Sequence, residues 1–527
     1  MCQNGKSTSQ ARIKPVIEAE VHQHLRAFLR QQDEPVWPHH LTLARLVARA
    51  LRLDRSALLQ TGSVAAYHGR YRLGYLMSSL LWPGPVVIVV PDLIRQQLLM
   101  IDLPRIREWV PTYKSVQVGD RWPDPHFTGV LITSPEAWLA DRLGPQTAFP
   151  VGIPTLLDGV DDLEDWVRSQ LTIAIGAADW EALALAYPDQ QTFIRDTRVR
   201  LTHIAFQHPE NPYQCHLLDN PEQTLLQALY QELVGHHPQP VQAAAAMPVN
   251  WQRFWQQFAI AERLLWLSLN RSQGQFCLHC SPIDLAPLLQ PIWEQQSLVL
   301  MGAALDQDAQ AGTYRQRLGL GEMTCLKFSP DRQNELIQLY LPDHLPLPNT
   351  PQFQTVLHSE IRQLLYFNAP TSGFTVILVG DSPLKAQLGA TLAAEFGSRV
   401  QVERTQLAPH SILVTGWSFW QAQQSHLPAP SLLIMTTLPI PSLENPLVAG
   451  RVAYYKGKRQ DWFRLYLLPT ALNELQRALA SVRKSQGAVA LLDTRVHYRS
   501  YGHQILEALG PAVCTRHLHQ NWLFDPE

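Results

Sequence analysis

The chain has 527 residues, 46% of them hydrophobic and 17% charged, with a formal net charge of −2. That is material for more than one buried core, and it excludes a uniformly basic coat for nucleic acid while leaving room for a local basic groove. Six cysteines over this length exclude a dense disulfide framework, and neither the opening residues 1–30 nor any later stretch holds an apolar run of signal-peptide or spanning length, so no membrane contact is expected and the cytoplasm is the expected location.

Short runs that are apolar throughout recur at 86–90, 130–133, 154–157 and 298–301, then at 376–379, 412–414, 432–435 and 489–492, with helical stretches between them. Alternating strand and helix predicts parallel sheets, and strands without a polar face predict helices on both sides. From 171 to 274 the pattern turns helical. Trp251, Phe254, Trp255, Phe258 and Leu265 fall on one stripe there, the expected packed face of an inserted helical region.

Several constellations carry chemistry. A phosphate-binding loop needs Gly-x-x-x-x-Gly-Lys-Ser/Thr, so that backbone N–H groups wrap the phosphates while lysine and hydroxyl meet charge and magnesium. Residues 62–72 read GSVAAYHGRYR instead. Gly62 and Gly69 stand too far apart, Ser63 follows the first glycine, and Arg70 is the candidate cation. Asp158 closes the 154–157 run, and with Gly159 it forms an Asp-Gly pair of the kind common at turns after a strand. Arg451, Tyr454, Lys456, Lys458, Arg459, Trp462 and Arg464 interleave cations with flat rings, which suits single-stranded nucleic acid through phosphate neutralisation and base stacking. Arg195, Arg198 and Arg200 form a second, weaker basic cluster. Cys277 and Cys280, with Cys514, His517 and His519 in the tail, have the spacing of zinc ligands, but a lone C-x-x-C is weak evidence and ordinary thiols are expected.

In order along the chain, these and other segments resemble the motifs of the DinG/XPD-type superfamily-two DNA helicases. Trp37-Pro38-His39-His40 is similar to the family's Arg-Pro-x-Gln, with His40 in place of the glutamine that reads adenine. Gln60-Thr61-Gly62-Ser63 is similar to Glu-Ala-Gly-Thr, and Leu73-Gly74-Tyr75-Leu76 to Leu-Ala-Tyr-Leu. The run from Pro154 through Asp158 to Leu163-Glu164-Asp165 resembles the strand and Asp-Glu-Ala-His-Asn-Leu-Glu-Asp, with Gly159 at the glutamate that polarises water and Asp161 at the nucleotide-sensing histidine. Leu300-Met301-Gly302-Ala303-Ala304-Leu305 stands for Leu-Thr-Ser-Ala-Thr-Leu without its hydroxyls. Ser418-Phe419-Trp420 matches Ser-Phe-Trp unchanged, and the final arginine helix keeps Gln476 and Arg483 with Ala480 at the inner arginine.

The resemblance implies an α/β chain of two RecA-like domains: a helical extension over 1–36, a first domain over 37–170 and 275–308, the helical insertion over 171–274, and a second domain over 309–527. It implies ATP and magnesium as cofactors, held at a degenerate site of Gly62, Ser63, Gly69, Arg70 and His40 with Asp158 as the candidate magnesium ligand, and Asp158, Asp161, Gln476 and Arg483 as vestigial catalytic positions. With no cysteine between Gln60 and Asp158, an iron–sulfur cluster at the family's place is excluded. Loss of a general base costs about 10²–10⁴ in rate and loss of an arginine finger about 10³–10⁵. The expected function is therefore a helicase homologue that binds nucleic acid, single-stranded DNA, with little or no ATP turnover. An active ATP-dependent DNA helicase and a protein-binding scaffold are the alternatives.

Overall fold

The computed structural model describes residues 16–32, 37–110, 114–144, 147–235, 246–332, 334–368 and 373–518. The apolar runs become the central strands of two seven-stranded sheets in which every pairing is parallel. In chain order the first lobe contributes β1 (Ala57–Gln60), β2 (Val86–Val89), β3 (Val116–Val118), β4 (Val130–Thr133) and β5 (Thr155–Asp158). After the insertion come β10 (Leu298–Gly302) and β11 (Thr324–Lys327), giving the order β11-β1-β10-β5-β2-β4-β3. The second lobe is built from β12 (Ile337–Tyr340), β13 (Thr375–Val379), β14 (Val400–Val402), β15 (Ile412–Gly416), β16 (Leu432–Met435), β17 (Ala488–Leu491) and β18 (Ala512–Thr515). Their order is β14-β15-β13-β16-β17-β12-β18. Interior strands such as β2, β5 and β16 are buried at every residue, which is why they read as unbroken apolar runs.

Three expectations about organisation change. The insertion contains a four-stranded antiparallel sheet, with β6 (Ile173–Ile175), β7 (Cys215–Leu217), β8 (Arg263–Asn270) and β9 (Gln275–Pro282) in the order β6-β9-β8-β7. The aromatic stripe is accordingly split. Trp251, Phe254, Trp255 and Phe258 pack from one helix, Val249–Phe258, whereas Leu265 lies on β8, where Leu265, Leu267 and Leu269 are buried with period two. Around Leu265 a period-two and a period-3.6 pattern share positions, and sheet pairing decides between them.

Second, β9 pairs with β8, so residues 275–282 belong to the insertion. Third, β11 pairs with β1, so the first lobe continues past 308 to Lys327. The helix of the N-terminal extension, α1 (Ile17–Leu29), joins the first lobe too. Its Val21, Leu25 and Phe28 share a core with Leu43 and Val47 of α2 (His40–Leu53).

Candidate functional site

The loop after β1 leads into α3 (Ser63–His68), a six-residue helix that stops at Gly69 (φ +64°), and the chain restarts as α4 (Arg72–Leu81). Its first amides are already taken: Thr61 N–H donates to Gly302 O at 2.8 Å and Gly62 N–H to Ala303 O at 3.0 Å. The cation that enters the interior here is Arg72, two residues beyond Arg70. Its Nε donates to Asp158 Oδ2 at 3.2 Å and an Nη to Gln97, and a Cβ on Gly69 would lie 2.4 Å from its Nη1. Arg70 is half-buried, close enough to His40 for its charge to help lower that imidazole's pKa.

Asp158 is fully buried at the end of β5. Its Oδ1 accepts from Tyr71 Oη, and its Oδ2 accepts from Tyr75 Oη at 2.9 Å as well as from Arg72. Burial first, then the Asp158 charge, raise both phenols well above the ordinary range, so they stay protonated donors. Burial opposes the charge on Arg72, but Asp158 outweighs it and the guanidinium's pKa is raised. A carboxylate with both oxygens committed and an arginine against it does not fit a magnesium ion, which needs open oxygen ligands. The i,i+4 spacing of Tyr71 and Tyr75 places both rings on one side of α4 and was a legible signal, but nothing in the sequence aimed them at Asp158.

Gly159 (φ +82°) turns the chain, and its N–H donates to Met301 O at 3.0 Å. Asp161 then accepts from Ala303 N at 2.7 Å and Ala304 N at 2.9 Å. Burial raises its pKa, opposed by Arg477 and those two amides. The carboxylate thus ties the loop after β5 to the end of β10 through backbone, where the family pattern has hydroxyl side chains.

The lobes meet directly beside this loop. Arg477 reaches from helix Leu468–Ala478 to Asp162 with Nη1–Oδ1 at 2.6 Å and Nη2–Oδ2 at 3.2 Å. Asn473 Nδ2 donates to Ala304 O at 2.7 Å, and Tyr67 Oη to Gln424 O at 3.1 Å. The following helix, Ala480–Lys484, packs onto α3. Gln476 lines an interlobe cavity of about 250 Å³ with Asp306, Thr313, Asn473, Arg464 and Gln504.

Arg483 does not point into the cleft. It is 3% exposed, and its guanidinium donates to Glu335 O (2.6 Å), Leu509 O (2.6 Å), Gly510 O (2.9 Å) and Pro511 O (3.1 Å). Carbonyls at the C-terminal end of helix Gly502–Leu509 attract a cation and fix it inside its own lobe. Burial pushes its pKa down to about 10. An arginine that does bridge the lobes is Arg477, which the motif pattern passed over.

His40 begins α2, 4% exposed, with its ring edge-on to Trp37. Burial, then Arg70, pulls its pKa down to about 4, so it is neutral at pH 7, and its Nδ1 has no partner among the described residues.

The basic–aromatic segment divides. Lys458 is paired with Glu262 (2.8 Å) in the insertion, lies 4.0 Å from Asp284, and sits 4.5 Å from the Tyr454 ring. Tyr454 Oη donates to the same two carboxylates at 3.1 Å. Gly450, on helix Pro446–Gly457, lets this helix touch the insertion sheet: a Cβ there would stand 2.4 Å from Leu264 Cδ1. Lys456, 5.2 Å from the half-buried Trp462 ring, is exposed, as are Arg459 and Arg464. Arg195 and Arg200 are exposed on helix Gln191–Gln207, and Arg198 is half-buried.

Cys277 and Cys280 lie three apart on β9, so they project to opposite sheet faces, and burial pushes the Cys280 thiol up to about 12. Cys514 belongs to β18 in the second lobe, and His519 lies outside the described residues. Among the described residues no group of three or more His, Cys, Asp or Glu could hold a metal, and no helix is long and apolar enough to cross a membrane.

No family model matches the chain. The ATP-dependent DNA helicase YoaA of Haemophilus influenzae is 26% identical over 262 residues, 47% of this chain and 40% of that protein. The ATP-dependent DNA helicase YoaA of Escherichia coli is 24% identical over 257 residues, 46% of this chain and again 40% of the relative. Each match therefore spans less than half of the relative's length. Among solved structures, an XPD helicase aligns over 91% of this chain and 100% of its own, with a TM-score of 0.58 at 10% identity. The S. tokodaii Xpd4 structure gives the same coverage and TM-score at 11% identity. At such identity these structures speak for the fold, and that fold is the pair of parallel-sheet lobes described above. Fold, motif order and curated relatives point the same way: the chain is similar to the DinG/XPD-type superfamily-two helicases, over less than half the length of the curated relatives it matches.

Proposed function

We propose that this chain is a DinG/XPD-like DNA helicase homologue, acting in the cytoplasm, that binds single-stranded DNA and turns over little or no ATP. The observation that carries the proposal is the Asp158 carboxylate, buried and shared among Tyr71, Tyr75 and Arg72. A magnesium-bound nucleotide would have to displace Arg72 from it and part α3 from the Ala480–Lys484 helix. Further support is the glycine at 159, which supplies no base, and the engagement of Arg483 by four backbone carbonyls. For the nucleic acid, exposed Lys456, Arg459 and Arg464 beside Trp462 supply cations and a ring.

The test is a nucleotide-binding titration with and without magnesium, alongside ATP hydrolysis with and without single-stranded DNA. Binding that is weak and indifferent to magnesium, with no stimulated hydrolysis, is the expected result. Strand-stimulated hydrolysis that disappears in Asp158→Ala, in a variant still folded, would overturn it.

An active ATP-dependent DNA helicase is the second reading, favoured by the names of both curated relatives. Arg70 and Asp158 would then manage nucleotide and magnesium after the Arg72 side chain swings away.

A further inference from the structure

On the far side of α2 from the lobe's core, Arg45, Arg49 and Arg52 follow at i, i+4 and i+7, which places them on one helix face, and Arg55 continues the row just past the helix end. All four are exposed. Arg45, Arg49 and Arg52 line a groove of about 700 Å³ between α1 and α2, and Arg55 lines a second hollow of about 270 Å³ that meets it at Leu46 and Arg49. The carboxylate lining the groove is Glu18, and it is already held by Arg52, whose Nε lies 2.8 and 3.0 Å from its two oxygens. Arg45, Arg49 and Arg55 are left with their charge facing solvent, on a chain whose net charge is −2.

Part of the lining is apolar: Val16, 53% exposed, and half-buried Leu46 belong to the groove, and Leu53, 36% exposed, lines the adjoining hollow. A phosphate backbone would satisfy the arginines and leave this apolar part wet. An amphipathic helix with an acidic flank satisfies both, since its apolar stripe covers the apolar part and its carboxylates meet the guanidiniums on the rim.

We propose that the groove between α1 and α2 is a docking surface for an acidic amphipathic helix of a partner protein. The surface does not involve the interlobe cleft and does not depend on whether nucleotide is bound there.

The test uses the full 527-residue chain and three labelled probes: a synthetic Leu/Glu amphipathic helical peptide, its Leu/Lys counterpart, and a short DNA duplex, read by fluorescence anisotropy. The acidic peptide is expected to bind, more weakly as salt rises, and the basic one not to bind. Arg45→Glu with Arg49→Glu is expected to weaken the acidic peptide at least tenfold. Arg45→Gln with Arg49→Gln, which removes charge without reversing it, is expected to weaken it severalfold, as is Leu53→Asp. These side chains are exposed, so an unchanged melting curve certifies each variant. Acidic-peptide binding that is unaffected in the folded variants would overturn the proposal. So would duplex binding lost in the double variant while the peptide fails to bind, since that outcome assigns the surface to nucleic acid.

Discussion

Arg477 of the second lobe grips Asp162 of the first through both terminal nitrogens, at 2.6 and 3.2 Å. Burial opposes the charge on this arginine, and Asp162 and Asp161 outweigh it, so its pKa is raised. The pair holds helix Leu468–Ala478 over the loop after β5. Arg477→Ala is expected to leave each lobe folded and to loosen their contact, which Asn473, Tyr67 and the packing of Ala480–Lys484 on α3 still maintain. Its cost is about 1 kcal/mol, because Asp162 is partly exposed and the pair is screened by solvent. A fluorescence-transfer pair with one dye in each lobe should report a longer distance, and added ATP with magnesium should not restore it.

At Asp158 the expected consequence of mutation is structural. Arg72→Met strips the buried carboxylate of its cation, and breaking a pair of this kind costs about 3–5 kcal/mol. Denaturant unfolding of the first lobe should show a loss of that order. A change below about 1 kcal/mol would mean the pair is not formed in solution.

Single-strand binding should separate the two roles in the basic segment. Lys456→Glu with Arg459→Glu is expected to weaken binding and to flatten its salt dependence, with a slope smaller by about 1.4 when two phosphates are no longer neutralised. Lys458→Glu instead sets a third carboxylate against Glu262 and Asp284, and it should release the helix Pro446–Gly457 from the insertion. Limited proteolysis is expected to cut the Lys458→Glu protein faster near 262–284 and to leave the double variant's pattern unchanged.

The pH dependence of stability carries a signature of the lobe interface. Burial, partly opposed by Arg477, raises Glu474 from 4.5 to about 7. The folded protein therefore holds that proton more tightly than the unfolded chain does, and stability falls as pH rises from about 4.5 to about 7, then levels. His40 acts in the opposite sense. Lowered from 6.5 to about 4, it costs stability as pH falls through that interval. Unfolding free energies of the wild type and Glu474→Gln, measured from pH 4.5 to 8, should differ by a term that grows up to about pH 7 and then stays constant. A difference that is flat with pH would show that Glu474 titrates normally.

Much of the fold was legible along the chain. The runs at 86–90, 154–157, 298–301, 376–379 and 432–435 all lie in central strands, because a strand covered on both faces must be apolar at every position. The insertion's sheet was not legible. β6 and β7 have three residues each, and the alternation in β8 begins only a few residues after a helix whose period it imitates.

The candidate site divides along the same line. Sequence alone determined which side chains are present: no lysine follows Gly69, no glutamate stands at 159, no cysteine lies between Gln60 and Asp158, and Asp158 and Asp161 remain. Only the tertiary structure decided what the remaining groups do. A buried carboxylate takes whatever donors the fold brings within reach, and here Tyr71, Arg72 and Tyr75 arrive from a helix more than 80 residues away in sequence. An arginine likewise goes where carbonyls or carboxylates desolvate it at least cost, which sent Arg483 into its own lobe and Arg477 across to the other. Residue type is local information. Partnership depends on which surfaces the packed lobes press together, and a single sequence carries no direct record of that.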